Sequence, residues 1–219
     1  TNHTIILTSI VKSVGFVWKD FGGLTIMSKI LEYANEIVPC QRNWDESYRI
    51  PEEQIKYITD VATTVPTKQQ RDVFSLVAIT NRQAIDEIFE ICYEKRDKKN
   101  TFKRNSQVRA NLLLVWTSGP YPYKKEGLSI AVGISSSAAA LAGAELGYKT
   151  GFCKCFVASQ AKDILEKYVG KLPGNEVPLM LGIGKPGENF DTRDVAINGV
   201  LKSRKGTSGN KDIPIHRLT

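Results

Sequence analysis

The sequence predicts a single α+β domain with α/β-like alternation, in which a central mixed sheet is covered by helices on both faces. Three observations carry this. Apolar residues at helical spacing alternate along the chain with short β-branched and aromatic runs, with no internal repeat and no clear linker. Residues 112–116 are continuously apolar, as in a strand buried on both faces. Residues 128–146 carry one charge, Glu145, and are small or apolar around the whole helical circumference, so this helix must be buried. At 219 residues, 42% hydrophobic and 24% charged, the chain is long enough for one domain with a sizeable core.

The elements follow in order. Residues 1–26 are apolar and β-branched but interrupted by Lys12 and Lys19. They lack the basic start and small-residue cleavage pattern of a signal peptide and are too broken for a membrane span. They are expected to be an appendage to a domain covering residues 27–219, so that deleting them leaves folding and activity intact. An insoluble truncation would refute this. Ser28 can cap a first helix carrying Ile30, Leu31, Ala34 and Ile37. After a polar stretch over residues 40–49, Pro51 opens a second helix with Ile55, Ile58, Val61, Ala62 and Val65 on one side. Residues 73–80 read as a strand. Asn81 caps a helix carrying Ile85, Ile88, Phe89 and Cys92. Residues 95–105 read as a charged loop, 108–117 as a central strand and 119–125 as a Pro/Tyr-rich loop. The long helix at 128–146 comes next, then a strand at 152–157. A helix capped by Ser159 ends near Gly170, and a last strand covers 177–183 before a basic tail. Ala139, Gly143 and Gly147 put a small face on the long helix, which suggests a close helix partner, shared across a dimer. Its four serines and many Ala and Gly argue against a membrane helix, so no membrane partner is expected.

Charge and cysteine usage narrow the chemistry. The net charge of +7 suits an anionic partner such as a phosphate ligand or nucleotide cofactor, or else a solvated basic surface. The densest basic cluster, Lys95-Arg96-Asp97-Lys98-Lys99, has one nearby aromatic residue, Phe102, and no recognition motif, so nucleic acid is not the expected partner. Cys153 and Cys155 are spaced C-x-C, which on a strand puts both on one face about 6–7 Å apart. No second pair or nearby histidine completes a zinc set. Buried reduced thiols and a cytoplasmic location are expected.

Several apparent motifs carry no function. Gly182-Ile-Gly184-Lys-Pro-Gly187 fits G-x-G-x-x-G but is followed by a polar tail instead of a helix and a further strand. The serines at 135–137 lack a nucleophile-elbow pattern. With His3 and His216 at the termini, a Ser-His pair is not expected. No metal site and no catalytic side chain are expected, and any reaction would be carried by a bound organic cofactor.

The strongest local signal is Val65-Pro66-Thr67-Lys68-Gln69-Gln70-Arg71-Asp72-Val73-Phe74, where a helix ends in a polar loop that feeds a strand. Hydroxyl, amide and ammonium groups beside turn N–H groups suit a flat anionic ligand. This segment resembles the A-P-S-x-x-N-x-Q-P-W motif of the nitroreductase family, with Thr67 at the usual serine, Gln70 at the usual asparagine, Asp72 at a usual glutamine and Phe74 at the usual tryptophan. Residues 133–151 resemble that family's central dimer helix and the A-x-x-L-G-L-G-T element after it, here Ala144-Glu-Leu-Gly147-Tyr-Lys-Thr150-Gly151. Leu181-Gly-Ile-Gly184-Lys-Pro186 resembles the last core strand, and Lys202-Ser203-Arg204 resembles the basic K-x-R near the C-terminus. Cys40-Gln41-Arg42-Asn43-Trp44-Asp45 stands where the family has R-x-S-x-R, with one arginine instead of two basic residues. The resemblance covers roughly residues 28–204.

What the resemblance implies is a nitroreductase-like fold, a homodimer built on the long helix, and FMN as cofactor with NAD(P)H as hydride donor. The flavin N5 would carry the hydride to a nitroaromatic, quinone or flavin acceptor. Arg42, Lys202 and Arg204 would pair the FMN phosphate, with Gln41 and Asn43 beside them. Pro66, Thr67 and Gln70 would contact the ribityl chain or ring edge. Lys68 would stand near N1/O2 and stabilise the reduced anion. Backbone N–H groups at Thr150 and Gly151 would meet N5 or O4. Phe102, Tyr121 and Tyr123 would line the acceptor pocket. Two other readings stay open at this stage: a flavin protein of the same fold with other chemistry, such as dehalogenation or flavin breakdown, and a non-enzymatic basic module that lost the cofactor.

Overall fold

The computed structural model describes residues 29–37, 40–95 and 102–187. The expected appendage at 1–26, the basic residues 96–101 and the predicted ligands Lys202 and Arg204 lie outside the described residues.

Four strands form the main sheet: β1 (Phe74–Ile79), β4 (Leu112–Ser118), β6 (Leu179–Gly184) and β5 (Lys149–Cys153), in the order β1-β4-β6-β5. Every pairing among them is antiparallel, so among the described residues the sheet is antiparallel and not mixed. A hairpin of β2 (Tyr93–Lys95) and β3 (Phe102–Arg104) stands where a charged loop was expected, with Lys95 opposite Phe102.

β4 is central, and its alternation separates two cores. Leu112, Leu114 and Trp116 point into one with α2 (Glu52–Thr63) and the long α4 (Lys125–Glu145). Leu113 and Val115 point into the other with α3 (Arg82–Ile91) and α5 (Ala158–Val169). Both faces of the sheet are thus covered, as residues 112–116 predict. α1 (Lys29–Ile37) packs on α4 and β5. A buried hydrogen-bond chain ties the first core together. Trp116 Nε1 donates to Ser135 Oγ at 2.8 Å, and Ser135 Oγ donates to the Ala62 carbonyl at 2.5 Å.

Local starts and stops follow expected chemistry with some shifts. Asn81 caps α3 by accepting from the Ala84 N–H at 3.0 Å. Pro51 precedes α2 as its N-cap residue. Ser159 lies inside α5, whose N-cap is Val157, and Gly170 closes that helix at φ 79°. β4 begins at Leu112 because residues 106–108 form a 3₁₀ turn. β5 begins at Lys149, so Thr150 and Gly151 are strand residues and not part of a loop.

The small face of α4 has a different partner from the one its pattern suggests. Ala139 and Gly143 are buried against the chain's own sheet, where a Cβ on Gly143 would meet Ile183 Cγ2 at 3.1 Å. Gly147 lies beyond the helix at φ 81°, a conformation suited to glycine. The uncovered side is another stripe. Ile130 and Ile134 are 65% and 41% exposed, and a Cβ on Gly133 would meet nothing within 4 Å. α4 is long and apolar enough to cross a membrane, but more than half of that window, 56%, is buried in the fold.

Candidate functional site

The predicted site residues fall into two groups at opposite ends of the sheet. The first group surrounds the segment 40–48, clipped across the β5 and β6 ends. The Gln41 N–H donates to the Thr150 carbonyl at 2.8 Å, Asp45 N–H to the Lys185 carbonyl at 3.0 Å, and Gly187 N–H to the Asn43 carbonyl at 3.1 Å. Trp44 bridges Pro186, and its Nε1 donates to the Ser106 carbonyl at 2.8 Å. Asn111 latches the segment from below. Its Nδ2 donates to the carbonyls of Asp45 at 2.8 Å and Tyr48 at 2.9 Å, and its Oδ1 accepts from Lys185 N–H at 2.9 Å.

Glycines allow this close packing. A Cβ on Gly182 would sit 2.2 Å from the Gln107 carbonyl oxygen, and one on Gly151 would sit 2.6 Å from that of Gln41. The glycine at 151 therefore answers to a neighbouring backbone within the fold. Gln41 and Thr150 are buried, and the Gln41 amide donates to the Asn43 carbonyl. The Thr150 hydroxyl has no partner among the described residues. Arg42 and Asn43 are half-buried.

Ionisation at this end follows from contacts. The Ser47 hydroxyl, hydrogen-bonded at 2.5 Å, holds the Asp45 carboxyl below its usual range. Burial, and then the hydrogen bond with Tyr48 at 3.0 Å, push the Tyr148 hydroxyl up. Lys185 Nζ lies 4.0 Å from the Tyr48 ring centroid.

The second group is the loop over residues 65–73, at the start of β1. Lys68–Gln70 form a single 3₁₀ turn with Gln69 at φ 57° and Gln70 at φ 54°. Two consecutive non-glycine residues in the left-handed region cost roughly 1–2 kcal/mol each. The turn is held by Thr67, whose hydroxyl donates to the Arg71 carbonyl at 2.9 Å, and by Arg71 Nε donating to Gln69 Oε1 at 3.1 Å. Lys68, Gln69, Gln70, Arg71 and Asp72 are exposed, as is Pro66.

The Pro/Tyr-rich loop lies against this turn. Gly119 N–H donates to the Val73 carbonyl at 3.0 Å and Tyr121 N–H to that of Asp72 at 3.3 Å. Lys68 Nζ lies 5.5 Å from the Tyr123 ring centroid and the Arg71 guanidinium 4.5 Å from that of Tyr121. The two tyrosine rings are 6.3 Å apart. A Cβ on Gly127 would clash with the Tyr123 ring, which is therefore seated on the first turn of α4. Arg71 has no counterpart among the predicted residues. Its pairing with a tyrosine 50 positions away leaves no local sequence signal. Phe102 belongs to β3 in the hairpin, where its backbone lies opposite Lys95.

The sheet register gives the separation. Gly151 lies opposite Gly182, Gly182 opposite Leu113, and Leu113 opposite Ile79, whereas the second loop enters at Phe74, opposite Ser118. At the strand rise per residue, the two groups are on the order of 17–20 Å apart along the sheet. Within one protomer, Arg42 and Thr67 do not share a cleft.

Comparison with solved structures identifies the fold. A nitroreductase with bound FMN from Bacteroides fragilis superposes with a TM-score of 0.60 at 15% identity, covering 76% of this chain and 93% of its own. A nitroreductase with bound FMN from Desulfitobacterium hafniense gives 0.59 at 15% identity, covering 77% and 94%. A nitroreductase family protein from Clostridium difficile gives 0.55 at 18% identity, covering 74% and 86%. This chain has the nitroreductase fold. No family model matches the sequence, and no curated protein matches it.

Proposed function

We propose that this chain is an FMN-dependent oxidoreductase of the nitroreductase family, acting as a homodimer with NAD(P)H as hydride donor. Each cofactor lies between the first group of one copy and the second group of the other. The observation that supports the reading is that the two groups of candidate ligand residues lie at opposite ends of the sheet and of α4, with the exposed Ile130 and Ile134 between them. A twofold pair packed on Ile130, Gly133 and Ile134 with its axis running across α4 has the two helices in opposite directions. It brings the clip of one protomer beside the strained loop of its partner, and neither end is a complete site alone.

The chemistry at each end fits the group. Arg42, with Lys202 and Arg204 following from the basic tail, neutralises a phosphate by charge-assisted hydrogen bonds. Thr67 and Gln70 offer hydroxyl and amide groups to a ring edge or polyol chain, on a loop whose left-handed backbone marks it as constrained for use. Lys68 adds positive charge where a reduced ring becomes anionic. Bound FMN supplies two-electron hydride transfer through its ring, so the chain needs no acid–base side chain of its own. The acceptor class is nitroaromatic, quinone or a similar flat oxidant.

The test joins assembly to colour. The purified protein is expected to sediment as a dimer and to show the visible absorbance of stoichiometric flavin, bleached anaerobically by NAD(P)H. Ile134→Asp is expected to give folded, colourless monomers. A colourless wild type that takes up no FMN, or a variant that is monomeric yet still yellow, would overturn the reading.

A further inference from the structure

Several basic side chains of the described surface are paired with carboxylates. Lys56 pairs Asp60, Arg104 pairs Glu90, Arg109 pairs Glu46, Lys162 pairs Glu166 and Lys167 pairs Glu87. The second half-site is built differently from these pairs. Among the described residues, neither Lys68 nor Arg71 has a carboxylate partner, and each is held over a tyrosine ring instead. Aromatic faces orient a cation without neutralising it. The Arg71 guanidinium is engaged at Nε by the Gln69 amide, so two contacts set its plane and its direction. Both rings are half-buried, each with a cation over one face. Tyr123 is seated on Gly127 beneath Lys68, and Arg71 lies over Tyr121, so this surface presents oriented positive charge and not open aromatic faces for stacking. Exposed Lys124, the N-cap residue of α4, and Lys125, its first residue, follow directly.

We propose that Arg71, positioned by Tyr121 and assisted by the neighbouring lysines, docks the phosphate groups of the dinucleotide hydride donor. Arg71 thereby sets donor affinity separately from the residues that hold the flavin. This rests on the oxidoreductase reading and adds a specificity-determining residue to it. Guanidinium suits phosphate because its planar fork donates two parallel hydrogen bonds. An exposed arginine held in place by a ring and an amide loses less freedom on binding than a free one.

Steady-state kinetics with a fixed quinone acceptor decide it. Arg71→Gln is expected to raise KM for NADH and NADPH about tenfold, far more than it changes flavin content, kcat or acceptor KM. Arg71→Lys should recover part of the loss, and Tyr121→Leu should reproduce part of it. Rising salt should weaken donor binding in the wild type more than in Arg71→Gln. Unchanged donor KM, or loss of flavin from Arg71→Gln, would overturn the assignment. The failure of the flavin reading looks different: the wild type itself would hold no flavin and oxidise no donor. Calorimetric titration with inorganic pyrophosphate then decides alone. Saturable binding abolished by Arg71→Gln upholds an anion site here, and absence of binding overturns it.

Discussion

The two ends of the sheet solve opposite problems with neighbouring stretches of one chain. At the clip end, glycines at 151 and 182 let backbone lie on backbone, and Asn111 spends its amide on the segment above it. Polar groups there are buried and mostly paired. At the loop end, most of the polar groups are exposed, two glutamines sit in the left-handed region, and Lys68 and Arg71 lie over tyrosine rings, as Lys185 lies over Tyr48 at the clip end. A region that has satisfied its own hydrogen bonds supports the fold, whereas a region that keeps strain and uncompensated charge at the surface is equipped to meet a ligand. The shared cofactor reading uses both, because a rigid end can present Arg42 at a fixed place to the adaptable end of a partner.

The largest effect expected is from closing the space at the clip. Gly182→Ala places a methyl group against the Gln107 backbone, which cannot retreat like a flexible side chain. A loss of about 3 kcal/mol or more is expected in urea unfolding followed by circular dichroism. An unaltered midpoint would show that the clip is loose. Asn111→Ala removes three hydrogen bonds but leaves the strands intact. It is expected to cost about 2 kcal/mol and to open residues 40–50 to limited proteolysis.

The loop end should respond in the opposite direction. The double variant Gln69→Gly, Gln70→Gly removes the side-chain penalty at two positive-φ positions but loosens the unfolded chain. Stability should stay within about 1 kcal/mol of wild type, while flavin affinity falls. A large stability loss would mean that this loop is structural after all.

The smallest effect is with pH. Contact with the Cys155 thiol lowers the Cys153 thiol, but the Cys92 thiol and burial outweigh it and push it up. Burial, and then Tyr48, push the Tyr148 hydroxyl up. Both groups bind their protons more tightly when folded. Their contribution is therefore complete below the ordinary values of 9.0 and 10.0 and is lost as pH rises through the folded ones. Thermal midpoints should fall progressively above about pH 9, and Cys153→Ser with Tyr148→Phe should flatten that slope.

How much of this was legible beforehand depends on whether a signal is local. Helical spacing at Ile55, Ile58 and Ala62, the cap at Asn81 and the apolar run over residues 112–116 all report on the residues that carry them. The structure returns them within a few positions. The pairing of β2 with β3 leaves little trace in the sequence, because charged residues mask two three-residue strands. The small face of α4 was given to a partner helix because composition says that something approaches closely but not what, and here it is the chain's own Ile183.

The sequence by itself determined the class of fold, its central strand and buried helix, and the polar turn that carries Thr67 and Gln70 between a helix and a strand. Periodicity and turn chemistry act between near neighbours, so they can be read from order alone. Tertiary structure decided that Gln41 and Arg42 stand at the far end of the sheet from Thr67, that Gly151 serves a neighbouring backbone, and that Arg71 meets Tyr121. Those contacts join residues dozens to over a hundred positions apart, and their register is set by strand pairing and core packing, which no local pattern encodes.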